Sequence, residues 1–278
     1  FVGYVNLSNQ GTDLDQESYW EYYAKTYFDR KTNVKLSPDG KLLILGKKDS
    51  IAKVLNFETG KTEFDLKGHS AAVISFDFSP DNKYIVTGSS DKQIKIWNSN
   101  DGSLVRTIKG HRDMIFSVHF SKDGKHILSS GWDGNAYIWD VETGNEISFF
   151  KDVKAFTSDF SVFGNYIVTG GLDKNFSMWE ADAGDMFRRF IGHKDVVSSF
   201  DFSPDGKTVV SGSWDGSACV WDIISGFQLM KIKPDQGQIH SVAFSNYGKY
   251  IFTGGLDGNI KMWDSKTGKH LKTFKGHN

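Results

Sequence analysis

The chain has 278 residues, 38% hydrophobic and 14% aromatic, enough apolar material for a large buried core. Thirty-three Lys and Arg stand against 34 Asp and Glu, with no long run of one sign, so the charge gives no basis for direct nucleic-acid binding or general adsorption to anionic membrane. The single cysteine, Cys219, excludes an intrachain disulfide and a thiolate zinc cluster, and no apolar run reaches the ~18 residues of a membrane span or has the layout of a signal peptide.

In chain order, Phe1 to Leu7 reads as a strand, with Gly11 at a turn position. Tyr19 to Phe28 reads as an outer strand, with a helix over Glu17 to Asp29 capped by Ser18 as the alternative. Asp13, Asp15 and Glu17 form a solvated acidic turn, since the Gly and distal Glu of a calcium loop are missing.

From residue 34 the chain repeats. An Asp recurs at 49, 91, 133, 173, 215 and 257, with spacings of 42, 42, 40, 42 and 42. Such a period marks a repeat architecture. Six residues after the last five of these stand Trp97, Trp139, Trp179, Trp221 and Trp263, and four residues before them Thr87, Ser129, Thr169, Ser211 and Thr253. A Gly-His pair precedes the Asp in three units, ending at His69, His111 and His193, and Gly276-His277 stands near the end of the sequence.

Each unit also has two turn signals. The first is Ser-Pro-Asp-Gly or a relative, starting at Ser37, Ser79, Ser121, Ser161, Ser203 and Ser245. The second is a Gly at 60, 102, 144, 184, 226 and 268. Between them lie short runs rich in Val, Ile, Phe and Thr, such as Val73 to Phe78, Tyr84 to Thr87 and Ile94 to Trp97. These predict four strands per unit and no helix, which describes propeller blades better than a sandwich.

The succession of Gly-His, hydroxyl, Asp, and Ile-Trp or Val-Trp-Asp resembles the WD-repeat family. The resemblance is good in five units over 68–275, whereas the unit at 34–67 is degenerate, with Leu45 at the hydroxyl slot and Leu55 at the tryptophan slot. It implies an all-β WD-repeat propeller spanning 1–278 as a single domain. Six complete four-strand units are visible; 1–33 reads as a partial blade and 276–278 as the start of a further repeat. The expectation is seven blades, the last shared between the termini, which leaves no sheet edge open. The rival is a six-blade closure with an N-terminal extension.

Recurring His, Ser and Asp also fit a catalytic triad, but an enzyme needs one such set and here there are three. The resemblance instead implies structural tetrads: Asp91 with His69, Thr87 and Trp97; Asp133 with His111, Ser129 and Trp139; Asp215 with His193, Ser211 and Trp221. Lys151 and Asp235 occupy the histidine slot of the fourth and sixth units, so Asp173 and Asp257 are expected to keep only hydroxyl and indole partners, leaving those blades less rigid or recruiting water. No phosphate loop, HExxH, paired-cysteine site or nucleophile elbow is present. No catalytic residue, metal site, cofactor or small-molecule substrate is therefore predicted.

In the resembling family, the residue before the repeated Asp lies on the narrower rim of the ring. Its occupants are Lys48, Ser90, Trp132, Leu172, Trp214 and Leu256. A second set, three and five residues past the histidine slot, includes Met114, Phe116, Lys154, Phe156 and His240. By the resemblance both sets share that rim, so Met114, Phe116, Trp132, Phe156, Leu172, Trp214 and Leu256 form an expected apolar crescent beside Lys154 and His240. Such clusters are typical interface centres, the alternative being packing between blades.

The function expected is a non-enzymatic scaffold that binds partner proteins or peptides on this rim as a subunit of a multiprotein assembly. A sensor or targeting propeller of a larger protein with a catalytic domain elsewhere is the alternative. Cytoplasm is the expected compartment, with a secreted or envelope location left open.

Overall fold

The computed structural model describes residues 34–46 and 50–275. The chain divides into two compact units, Phe1–Thr32 and Asn33–Asn278, and the second is described below. The strand expected at Phe1 to Leu7, the segment Glu17 to Asp29, Lys48, Asp49 and the closing Gly276-His277 lie outside the described residues.

The described residues form 24 strands, β1 to β24 in chain order, arranged as six four-stranded antiparallel sheets with no helix. Each sheet follows the chain. In the second blade, β5 (Val73–Phe78), β6 (Tyr84–Ser89), β7 (Gln93–Asn98) and β8 (Leu104–Lys109) pair in that order. The other blades span 34–67, 115–150, 155–190, 197–232 and 239–275. Their innermost strands are β1 (Val34–Leu36), β9 (Ile115–Phe120), β13 (Ala155–Phe160), β17 (Val197–Phe202) and β21 (Ile239–Phe244). Contacts run from each innermost strand to the next, β1 to β5 and onward to β21.

The turns repeat because their chemistry repeats. In the Ser-Pro-Asp turn before β6, Ser79 Oγ donates to Asp81 Oδ1 (2.7 Å) and accepts the N–H of Tyr84 (2.9 Å). The fourth residue of this turn has φ of 74° at Gly40, 60° at Asn82 and 71° at Gly124, a left-handed conformation that Gly and Asn adopt at least cost. The unit at 34–67 keeps this turn, and its Leu45 and Leu55 take the half-buried positions that the register assigns, so it is a blade without the family's polar signature.

The core lies between blades rather than within them. Side chains of a strand alternate between the two faces of its sheet. Ile85 therefore packs with Ile44, Val54 and Leu66 of the first blade, while its neighbour Val86 packs with Ile115, Val118 and Trp139 of the third. Both are fully buried. This two-sided burial explains why the middle strands read as nearly continuous apolar runs. The blades approach so closely that a Cβ on Gly88 would lie 2.7 Å from Ile115 Cγ2 and 2.8 Å from Val118 Cγ1. On the outside, Arg106 donates to the carbonyl of Thr143 (3.0 Å) and Arg188 to that of Ser225 (3.1 Å), tying outer strands to the following blade.

Candidate functional site

The recurring polar residues assemble as continuous chains. In the second blade Trp97 Nε1–H donates to Thr87 Oγ1 (2.8 Å), His69 Nε2 lies 2.7 Å from the same oxygen, and His69 Nδ1 lies 2.8 Å from Asp91 Oδ2. The neutral imidazole that accepts the threonine O–H and donates Nδ1–H to the carboxylate satisfies all four groups. Burial holds the imidazole of His69 below its ordinary value, against the pull of the Asp91 carboxylate.

The third and fifth blades repeat the geometry. His111 bridges Ser129 (2.8 Å) and Asp133 (3.0 Å), and His193 bridges Ser211 (2.7 Å) and Asp215 (3.1 Å). Trp139 and Trp221 each donate to their hydroxyl at 2.8 Å. Thr87, Ser129 and Ser211 are 0% exposed, so these hydroxyls are enclosed by the blades and bonded to their own histidine and tryptophan. The Asp carboxylates also accept the backbone N–H that follows each histidine, Ser70 at 2.9 Å, Arg112 at 2.8 Å and Lys194 at 2.9 Å, which pins the connection between blades onto the turn.

The two units without the histidine differ from the expectation and from each other. In the sixth blade Gln236, buried at 1% exposure, fills the gap: its Oε1 accepts from Thr253 Oγ1 (2.6 Å) and its Nε2 donates to Asp257 Oδ1 (3.2 Å) and to the carbonyl of Asn259 (2.7 Å). An amide carries a donor and an acceptor on one planar group, as a neutral imidazole does. Asp257 thus has more than hydroxyl and indole partners. In the fourth blade Arg189, from the outer strand, pairs with Asp173, while Thr169 Oγ1 accepts the indole N–H of Trp179 (2.8 Å) and Lys151 is exposed. There the link from hydroxyl to carboxylate is cut, and Trp179 is the one repeat tryptophan left half-exposed. Gln236 follows the slot by one residue and Arg189 lies 16 residues after Asp173, so a search confined to the histidine register passes over both.

The tetrads position the turns next to them. In each blade from the second to the sixth, the residue before the repeated Asp donates its N–H to the carbonyl three residues past the histidine slot: Ser90 to Ala72 (2.9 Å), Trp132 to Met114 (2.8 Å), Leu172 to Lys154 (3.3 Å), Trp214 to Val196 (3.0 Å) and Leu256 to Gln238 (2.9 Å). The two sets of rim residues therefore meet at one end of the blades.

Gly-His corner, buried hydroxyl, Asp turn and Trp, repeated on four-stranded antiparallel blades, are one recurring unit. The family model described as WD domain, G-beta repeat matches residues 60–98, 102–140, 184–222 and 227–264, together more than half of the chain. This chain belongs to the WD-repeat family. Each matched segment takes the outer strand of one blade with three strands of the next, and the inner strands of the fourth blade, where the histidine is missing, fall outside the matches. No curated protein matches the chain. WD-repeat proteins generally serve as protein-interaction scaffolds and are typically not enzymes.

Within this WD-repeat chain the rim residues divide by exposure. Trp132, Phe116, Phe156 and Trp214 form a row across three blades, with ring centroids 5.4, 5.5 and 5.6 Å apart in edge-on or tilted contact. Phe116, Phe156 and Trp214 are only 6%, 6% and 7% exposed, so they are the floor of the rim rather than its surface. Met114, Trp132, Leu172 and His240 are half-buried, and Lys154 and Leu256 are exposed. Of the crescent expected from the sequence, the half accessible to a partner is Met114, Trp132, Leu172 and Leu256, beside Lys154 and His240.

Proposed function

We propose that this WD-repeat chain is a non-enzymatic scaffold that holds partner proteins or peptides on the rim carrying Trp132, Leu172 and Leu256, as a subunit of a multiprotein assembly. The observation that carries the reading is the exposure of apolar side chains in tight turns whose backbone is already tied down: Leu256 is 43% exposed although its N–H is bonded to Gln238. Such a side chain is presented without any need for the turn to reorganise, which lowers the cost of binding. Phe116, braced by Phe156 and Trp214, packs edge-on against the half-buried Trp132 and supports its ring from below.

The test is affinity capture with the wild-type chain beside a Trp132→Ala/Leu256→Ala variant, with circular dichroism showing that both fold. Partners are expected to be lost or weakened by more than about 1 kcal/mol in the variant. Identical captured sets would contradict the assignment of the site. Trp214 is left intact, because its removal would open the floor and confound folding with binding.

A further inference from the structure

The accessible half of the rim carries charge as well as apolar surface, and the two signs are not evenly matched. Lys154 lies between two of the apolar turns: its N–H donates to the carbonyl of Gly134 (3.2 Å), two residues after Trp132, and its carbonyl accepts the N–H of Leu172 (3.3 Å). Lys174 follows Leu172 by two residues, and Arg112 precedes Met114 by two. All three side chains are exposed, and among the described residues none of them has an ion pair or a side-chain hydrogen bond. The carboxylates of the third and fourth blades at this end are all engaged. Asp113 Oδ1 accepts the N–H of Met114 (2.8 Å), and Asp133 holds His111 and the N–H of Arg112. Asp173 is paired with Arg189, and Asp152 has Lys151 Nζ at 4.0 Å. The cations around Met114, Trp132 and Leu172 are thus left for a partner to match.

The backbone points the same way. Among the described residues six other than glycine have a left-handed backbone, and five of them, Lys92, Asp152, Lys154, Lys174 and Asp235, lie in the connections at the rim end. Lys174 has φ of 67° one residue after the repeated Asp, where the third, fifth and sixth blades have Gly134, Gly216 and Gly258 at 75°, 79° and 73°. Glycine meets that geometry at less cost, so this turn holds a charge beside Leu172 against the preference of its own backbone.

We propose that the partner bound at this rim presents an extended acidic segment: a large apolar side chain seated on Met114, Trp132 and Leu172, flanked by Asp or Glu carboxylates that pair with Arg112, Lys154 and Lys174. The inference rests on the docking reading above and adds the chemistry of the docked segment. Separate carboxylates suit the site better than a single phosphate, because the three cations stand on three different connections and two are lysines, point charges without the guanidinium fork that grips a phosphate. A nucleic-acid strand suits it less well. The rings of the aromatic row are buried or half-buried, so no stacking platform is open, and the exposed Asp152 shares a connection with Lys154.

The experiment is selection of a random phage-displayed library of peptides of about twelve residues against the full wild-type chain, with the enriched peptides then synthesised and their affinities measured. They are expected to carry several Asp or Glu around a large apolar residue and to lose affinity about tenfold between about 50 and about 300 mM salt. Binding is expected to be at least about tenfold weaker to Lys154→Glu/Lys174→Glu and to Arg112→Glu, the second of which leaves the left-handed positions untouched. Enriched peptides of neutral or basic composition, or acidic ones indifferent to salt and to both charge reversals, would overturn the proposal. If such peptides are still lost with Trp132→Ala/Leu256→Ala, the rim stands as the docking site and only its acidic preference falls. A library without enrichment would also overturn the proposal, as would tighter binding of an oligouridine of about ten nucleotides than of the best peptide.

Discussion

At the scale of single residues, the hydroxyls of the tetrads matter more than their size suggests. Thr87 Oγ1 is bonded to both Trp97 and His69, which are buried. Replacing it by Val keeps the shape but leaves an indole N–H and an imidazole nitrogen without their bonds, at roughly 1–3 kcal/mol for each buried group. Thr87→Val is therefore expected to lower stability by about 2–4 kcal/mol in urea unfolding, with little change in m-value. A loss under about 0.5 kcal/mol would mean that the tetrad is not a unit of stability. The residue-scale features of the second, third and fifth blades were legible in the sequence because each obeys one register. Gln236 and Arg189 were not, since the physics demands a donor and acceptor at a point in space and different side chains reach that point from different positions in the chain.

At the scale of elements, the contrast between the fourth and sixth blades follows from these substitutions. Gln236 restores a continuous chain from Thr253 to Asp257, while in the fourth blade Asp173 is paired with Arg189 across a 43%-exposed guanidinium and the chain from Thr169 stops at Trp179. An exposed pair of this kind adds little to local stability. Amide exchange in the strands β14 (Tyr166–Gly171) and β15 (Phe176–Glu180) is expected to be faster than in β22 (Tyr250–Gly255) and β23 (Asn259–Asp264), when each is compared with the second blade. Equal exchange in the two blades would show that the buried link is dispensable. Strand positions, both turn types and the degenerate first blade could all be read in advance, because turn chemistry and period-two alternation are local.

At the scale of the molecule, the repeat means that each blade buries its faces only with neighbours, so rim residues inherit rigidity from the interblade core rather than from contacts of their own. The resemblance to the WD-repeat family implies seven apolar residues in one crescent; packing then draws Phe116, Phe156 and Trp214 beneath the surface, a division that depends on how far each ring can lean onto the next blade. The proposed scaffold function requires partners to bind at the accessible half of that crescent. The most direct test is the affinity of one captured partner for the wild-type chain, for Lys154→Glu/Leu256→Asp on the rim, and for Tyr247→Ala, a 97%-exposed residue in the turn at the opposite end of β21. The rim variant is expected to bind at least about tenfold more weakly, some 1.4 kcal/mol, with Tyr247→Ala unchanged. Loss of binding in Tyr247→Ala with the rim variant unaffected would place the partner at the other end of the blades and contradict the account.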